Sequence, residues 1–148
     1  MKRILSFFFF IMFTGIVFSQ NLYSLKYTIE KEHMVIPVSI EGIEFDSFVF
    51  DSGSGMTHLT NNDFALLKEK GIVSEQNRKT MVKVTDCDGR KRIGYTYIIP
   101  CLCVGKMKIL NLEVVFTNAG FRTLGYDVMK RFDKISIDIQ NKTLNFEY

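Results

Sequence analysis

The stretch FVFDSGSGMTHLT, residues 48–60, runs an apolar segment with the pattern of a buried strand straight into an aspartate, two serines and two glycines. A bare carboxylate at the end of a core strand is costly to keep ionised beside an apolar wall. Gly53 and Gly55 offset that cost, because backbone amides can approach carboxylate oxygens where no side chain obstructs them and unusual dihedrals are open. Ser52 and Ser54 add hydroxyl donors. Donors aimed at Asp51 favour its charged form, so the pattern reads as a device for holding one carboxylate in a fixed place. The plainer alternative is a turn or cap, where Asp, Ser and Gly are common for local reasons.

Outward from this stretch the pattern is mostly of period two. MVIPVSI (34–40) and IEFDSFVF (43–50) flank Glu41-Gly42, which predicts a tight hairpin, and Pro37 predicts that its first strand lies at a sheet edge. NNDFALLKEKG predicts one short helix, capped by Asn61 or Asn62, with Phe64 and Leu67 three apart and Gly71 as its stop. A second hairpin follows, KTMVKVTD (79–86) against KRIGYTYII (to Ile99), with Asp88-Gly89 at the turn. CLCVGKMKIL and LEVVFTNA read as further strand runs separated by turn-like residues. YDVMKRF reads as a short helical stretch, and KISIDIQNKTLNFEY as two strands around residues 140–142. Seven or so short strands with one or two short helices, and no alternation of strand with helix, predict an all-β fold, a barrel or sandwich.

The chain opens MKRILSFFFFIMFTGIVFSQ: Lys2 and Arg3, an apolar stretch over 7–18, then Ser19 before Gln20. That is the layout of a secretory signal peptide cleaved after Ser19. Its apolar part is shorter than the roughly 20 residues that span a bilayer, and no cysteine adjoins the cut to carry a lipid. The expected organisation is a signal peptide over 1–19, a lead-in over 20–33 and one domain over 34–148. The expected destination is periplasmic or secreted, with no stable membrane anchor after cleavage. Loss of Lys2 and Arg3 lowers the formal charge of +3 towards neutrality. The only short basic run, GRKR at 89–92, reads as a solvated hairpin end, so no nucleic-acid partner is expected.

Cys87, Cys101 and Cys103 allow at most one disulfide within a chain bound for an oxidising compartment. Cys101 and Cys103 fall on one strand face, where a bond between them would be strained; Cys87 pairs more easily with either. Cys-x-Cys lacks the further ligands of a zinc site, His33 and His58 lie far apart, and DCDG at 86–89 lacks the twelve-residue calcium spacing. Neither metal nor cofactor is expected. His58 follows Ser52 and Ser54 closely, but no Gly-x-Ser-x-Gly elbow supports a serine triad. Asp46 and Asp138 sit inside alternating strands and read as solvent-facing or fold-stabilising. Asn141 heads a formal glycosylation sequon that also suits a turn.

The same opening stretch, an apolar strand followed by Asp-Ser-Gly-Ser, resembles the active-site loop of the retropepsin-like aspartic proteases, the single-domain, retroviral-type relatives of the pepsins. TLGYDVMKRFDKISIDIQNKTLNF, residues 123–146, resembles the family's apolar-apolar-Gly segment, short helix and closing strand pair with its Ile-Asp. The resemblance spans residues 34–148 and suggests an exported, bacterial-type member. It implies an acid-protease barrel active as a homodimer, with Asp51 as the catalytic aspartate. Ser52 would tie together the active-site loops of two subunits, Gly53 would give backbone approach to the carboxylate, and Ser54 would hydrogen-bond its outer oxygen. Leu124 and Gly125 would lie beneath the loop. Asp86, Cys87, Asp88, Gly89 and Arg90 would form the tip of a flap over substrate.

Two features depart from the family pattern: Thr123 stands where an apolar residue is common, and DCDG is not the glycine-rich flap of the viral enzymes. Peptide hydrolysis by this route uses one ionised and one protonated aspartate sharing a water. The chain carries one Asp-Ser/Thr-Gly motif, so the resemblance implies an aspartic endopeptidase whose two Asp51 carboxylates come from two subunits, acting on a peptide or protein substrate. The alternative is a non-catalytic module of the same fold that binds a peptide or other ligand in the cell envelope.

Overall fold

The Glu41-Gly42 turn folds the chain back on itself, and its dihedrals match the sequence chemistry. Both residues take positive φ, 48° and 80°, the left-handed pair that a two-residue hairpin with native twist requires. The computed structural model describes residues 22–86 and 89–147; the expected signal peptide, Cys87 and Asp88 lie outside them. The turn joins β3 (His33–Ile40) to β4 (Ile43–Phe50). Before it come β1 (Leu22–Lys26) and β2 (Thr28–Glu30); after it come β5 (His58–Thr60), α1 (Asn61–Glu69), β6 (Met81–Thr85), β7 (Lys91–Val104) and β8 (Met107–Thr117). The chain closes with β9 (Arg122–Leu124), α2 (Tyr126–Met129), β10 (Lys134–Asp138) and β11 (Thr143–Glu147).

The fold is all-β with two short helices, as the alternation predicts. An eight-stranded sheet runs in the order β2-β3-β4-β9-β5-β8-β7-β6, and an additional pairing of β3 with β7 closes it into a barrel. Ser39 opposite Cys103 and Ile40 opposite Leu102 make that seam. A second sheet, β1-β11-β10, packs the chain's two ends together. The inward positions of the strands supply the core, with Ile40, Phe48, Leu59, Ile99, Leu102, Val114 and Leu124 all fully buried and Leu67 added from α1. Each such side chain contributes about 1.5–3 kcal/mol relative to an exposed one. Phe64 anchors α1 by packing its ring on Tyr97 and Phe116, with centroids 4.9 and 5.3 Å away. Among the described residues no helix is long and apolar enough to cross a membrane.

Several local expectations are corrected. Pro37 does not mark an edge: β3 is interior, and the proline sits where the register with β4 shifts between Ile36 and Val38. On the other flank β2 reaches only to Val35 and β7 begins at Ser39, so no ladder bond needs the missing amide. The helix cap is Thr60, not Asn61 or Asn62. Its hydroxyl accepts from the Asp63 amide while the Asp63 carboxylate accepts from the Thr60 amide, a complete capping box. The described residues form eleven strands rather than seven or so. Two long strands each absorb what reads as two runs. β7 continues through Pro100 and β8 through Asn111 with unbroken register, Ile99 opposite Leu112 and Cys101 opposite Leu110. Within the expected lead-in, β1 pairs with β11 and β2 with β3.

Candidate active site

β4 delivers Asp51 to the head of a tight loop, and β9 supports that loop from beneath. The two strands pair in parallel, Phe48 with Arg122, Val49 with Thr123 and Phe50 with Leu124. The Asp51 amide donates to the Leu124 carbonyl at 3.2 Å. The Gly53 amide donates to Asp51 Oδ1 at 2.8 Å, and a Cβ on Gly53 would stand 3.1 Å from that oxygen. Glycine therefore lets the backbone reach the carboxylate, as the sequence suggests. Gly55 makes no such approach, since a Cβ there would meet nothing within 4 Å. Asp51 and Ser52 are both exposed. The Ser54 hydroxyl is not on Asp51: it donates to the Met56 carbonyl at 2.7 Å, which stiffens the loop instead.

Leu124 and Gly125 lie beneath the loop. Leu124 is fully buried, and the Tyr126 amide donates to the Ser54 carbonyl at 2.8 Å. A Cβ on Gly125 would fall 2.4 Å from the Met56 carbonyl oxygen and 2.5 Å from its carbon. Backbone atoms cannot swing aside as a side chain can, so Gly125→Ala is expected to cost about 1–3 kcal/mol through overpacking. Urea unfolding checks this; a midpoint equal to wild type would show that the loop has room to move.

Two supporting residues escape the sequence reading. Asp127, in the first turn of α2, accepts from the Thr57 amide and from the Thr57 hydroxyl, both at 2.9 Å. The fully buried Thr57 in turn lies 3.2 Å from the Gly125 amide, which donates to its Oγ1. The loop's far end is thus clamped to α2. The only signal in the sequence is an acid two residues after the Leu-Gly pair, and it has no visible partner until the chain folds.

Asp51 lines a cavity of about 330 Å3. The loop adds Gly53 and Ser54; β5 adds His58 and β9 adds Thr123. The β6–β7 hairpin closes another side with Val84, Thr85 and Asp86. Thr123, where an apolar residue is common in the family pattern, is almost fully buried and lines this cavity.

The expected flap is this hairpin. The Asp86 amide donates to the Arg90 carbonyl and the Gly89 amide to the Asp86 carbonyl, each at 2.9 Å, with Gly89 at φ 81°. The Asp86 carboxylate pairs with Arg92 Nε, and Arg92 Nη1 reaches Asn118 Oδ1 at 3.2 Å. Of the expected flap residues Asp86 lines the cavity, Gly89 shapes the turn, and Arg90 lines a separate recess with Lys91 and Arg92. Cys87 and Asp88 lie outside the described residues.

Burial lowers the pKa of the half-buried His58 from its ordinary value, against the pull of Asp127, Asp86 and Asp51. His33 stacks on Phe121, with centroids 6.4 Å apart. Asp46 is exposed, and Asp138 accepts from the amide and side chain of Asn141; neither lines the cavity. Cys101 and Cys103 are free thiols on one face of β7, their sulfurs 3.7 Å apart. Among the described residues no group of three or more His, Cys, Asp or Glu is placed to hold a metal ion.

A barrel closed by six strands of an eight-stranded sheet, with an aspartate loop braced by an apolar-Gly segment, is a retropepsin-like fold. The chain is similar to a retropepsin-like aspartic protease from Rickettsia conorii, with a TM-score of 0.60 and 18% identity over 88% of this chain and 94% of that one. It is also similar to the EIAV protease complexed with the inhibitor HBY-793, with a TM-score of 0.52 and 13% identity over 68% of this chain and 88% of that one. No family model and no curated protein matches the sequence. At such identities the likeness establishes the fold, and chemistry has to be argued from the site.

Proposed function

We propose that the chain is an aspartic endopeptidase that hydrolyses peptide bonds with a water activated between two Asp51 carboxylates, one from each subunit of a homodimer. The observation that carries this reading is an exposed Asp51, held by the Gly53 amide, at the wall of a cavity bounded by a hairpin. One carboxylate does not suffice, because the reaction needs a base to take the water's proton and an acid to hydrogen-bond the substrate carbonyl. Two carboxylates a few ångströms apart cannot both ionise cheaply, so a pair retains one proton and supplies both roles. A two-fold axis provides the second copy. Ser52, exposed beside Asp51, is the residue available to bridge the two loops.

Substrate would lie as an added strand under the 86–90 hairpin, held through its backbone with side chains in alternating pockets. Self-association has candidate edges in the β1-β11-β10 sheet, whose outer strands β1 and β10 each pair only with β11 among the described residues and leave their outer edges open. Leu22, Ile137 and Ile139 beside those edges are 64%, 51% and 79% exposed. The signal-like opening of the chain supports export to the periplasm or the exterior.

A randomised peptide library, incubated with wild-type protein across acid and neutral pH, tests the proposal. Cleavage is expected, with specific activity falling as the protein is diluted through its dimer dissociation constant. Concentration-independent activity from a monomer would overturn the shared dyad. A folded dimer that cleaves nothing would favour the non-catalytic binding module.

A further inference from the structure

His58 lines the cavity that holds Asp51 but has no task in activating water. Its backbone is held on both sides, antiparallel to Thr123 and parallel to Val115, and the preceding Thr57 is clamped by Asp127. His58 is therefore held at a fixed position on the cavity wall. The charged groups around it among the described residues come from three elements: Asp51 from the loop, Asp127 from α2 and Asp86 from the β6–β7 hairpin. β8 and β9 contribute the uncharged Val115 and Thr123, and Arg122 on β9 is committed to Asp63. Each of the three carboxylates already has donors: Asp51 has the Gly53 amide, Asp127 has Thr57 and Val128, and Asp86 has Arg92. Among the described residues lining the cavity, His58 is the one side chain that can become a cation to meet an incoming group.

We propose that His58 selects the substrate side chain entering this cavity, accepting a carboxamide when its ring is neutral and a carboxylate once the ring is protonated. The proposal rests on the peptidase reading above and names its substrate class: peptides with Gln or Glu, or the shorter Asn or Asp, at one position flanking the scissile bond. A neutral imidazole offers one N–H and one ring acceptor, which match the carbonyl and amino group of a carboxamide. A carboxylate arriving in that state meets the negative charge that a proton-sharing Asp51 pair retains, and among the described residues no Lys or Arg lines the cavity to balance it. Protonation turns both ring nitrogens into donors and adds the missing positive charge, so a carboxylate then forms a charge-assisted bond. Burial keeps His58 neutral to lower pH than an exposed histidine, which puts the change of preference on the acid side of its ordinary value.

The test uses Gln and Glu, which match in size. A decapeptide pool randomised at its central positions is bound to Asp51→Asn protein, in which the dyad no longer titrates, at about pH 7 and about pH 5, and the bound peptides are sequenced. One position is expected to show a Glu-to-Gln ratio that rises about tenfold on acidification, the equivalent of one unit of pKa linkage between ring and ligand. In Asp51→Asn/His58→Val the ratio is expected to stay within about twofold. Should the double variant not fold, the His58 ring signal in NMR titrations of the single variant decides: its midpoint is expected to rise with a bound Glu peptide and not with the Gln peptide. Equal ratios at both pH values, equal changes with and without His58, or no bound peptide overturns the proposal. Wild-type protein that leaves the selected peptides uncut, while the His58-dependent ratio persists, defeats the peptidase reading alone.

Discussion

Asp51→Asn is expected to lower peptide cleavage by about a thousandfold or more, because general acid–base work of this kind contributes 10²–10⁴ and both members of the dyad change together. A carboxamide neither takes a proton from water nor holds one to share. The fold is expected to persist. Asparagine has the same shape, Asp51 is exposed, and the amide oxygen still accepts from Gly53, so stability should stay within about 0.5 kcal/mol. Mixing sharpens the result: equal amounts of wild-type and variant chains, allowed to exchange, should retain about a quarter of the activity, the share of dimers with two native copies. The measurements are kcat/KM on a library-selected peptide and a thermal melt. Cleavage within tenfold of wild type would remove Asp51 from the chemistry.

The largest stability effect is expected at Arg122. Its Nη2 and Nε grip the two oxygens of Asp63 at 2.7 and 3.0 Å, and the Asp63 side chain is 3% exposed. The same carboxylate caps α1 through Thr60, and the guanidinium lies 5.0 Å from the Phe45 ring centroid. Arg122→Met keeps the stem's bulk and leaves a buried carboxylate with Thr60 alone as donor. Breaking a buried pair this way costs about 3–5 kcal/mol, on the order of 10 °C in Tm for a chain of this length. Asp63→Leu combined with Arg122→Met should recover much of the loss, since no charge is then stranded, less about 1 kcal/mol for the helix cap. A single variant melting with wild type would mean that water solvates Asp63 in the fold.

Much of this site was legible because it is local. The hairpin of residues 33–50 follows from alternation and from Glu41-Gly42, and Asp51 with Gly53 announces a held carboxylate within three residues. Other features depend on partners far along the chain. Asp127 meets Thr57 across 70 residues, and Asp63 meets Arg122 across 59. In the sequence each is an ordinary polar residue on a short helix or strand. Thr60 was missed as a cap because two asparagines follow it, yet only Thr60 stands where the strand hands over to the helix. Pro37 suggests a sheet edge, yet its strand is interior and the proline is accommodated because no neighbour requires its amide; the strand run expected to stop at Ile99 continues through Pro100 because β7 and β8 keep their register around it.

By itself the sequence determined the all-β class, the main hairpins and the loop that presents Asp51, since side-chain alternation and turn chemistry act over a few residues. Tertiary structure decided which strands adjoin: β4 beside β9, β5 between β9 and β8, and β3 against β7 at the closing seam. It also decided that His58 and Asp86 share a cavity with Asp51. Those neighbours are set by closure of the barrel around one apolar core, where burying the inward faces of every strand at once outweighs any preference a single segment carries.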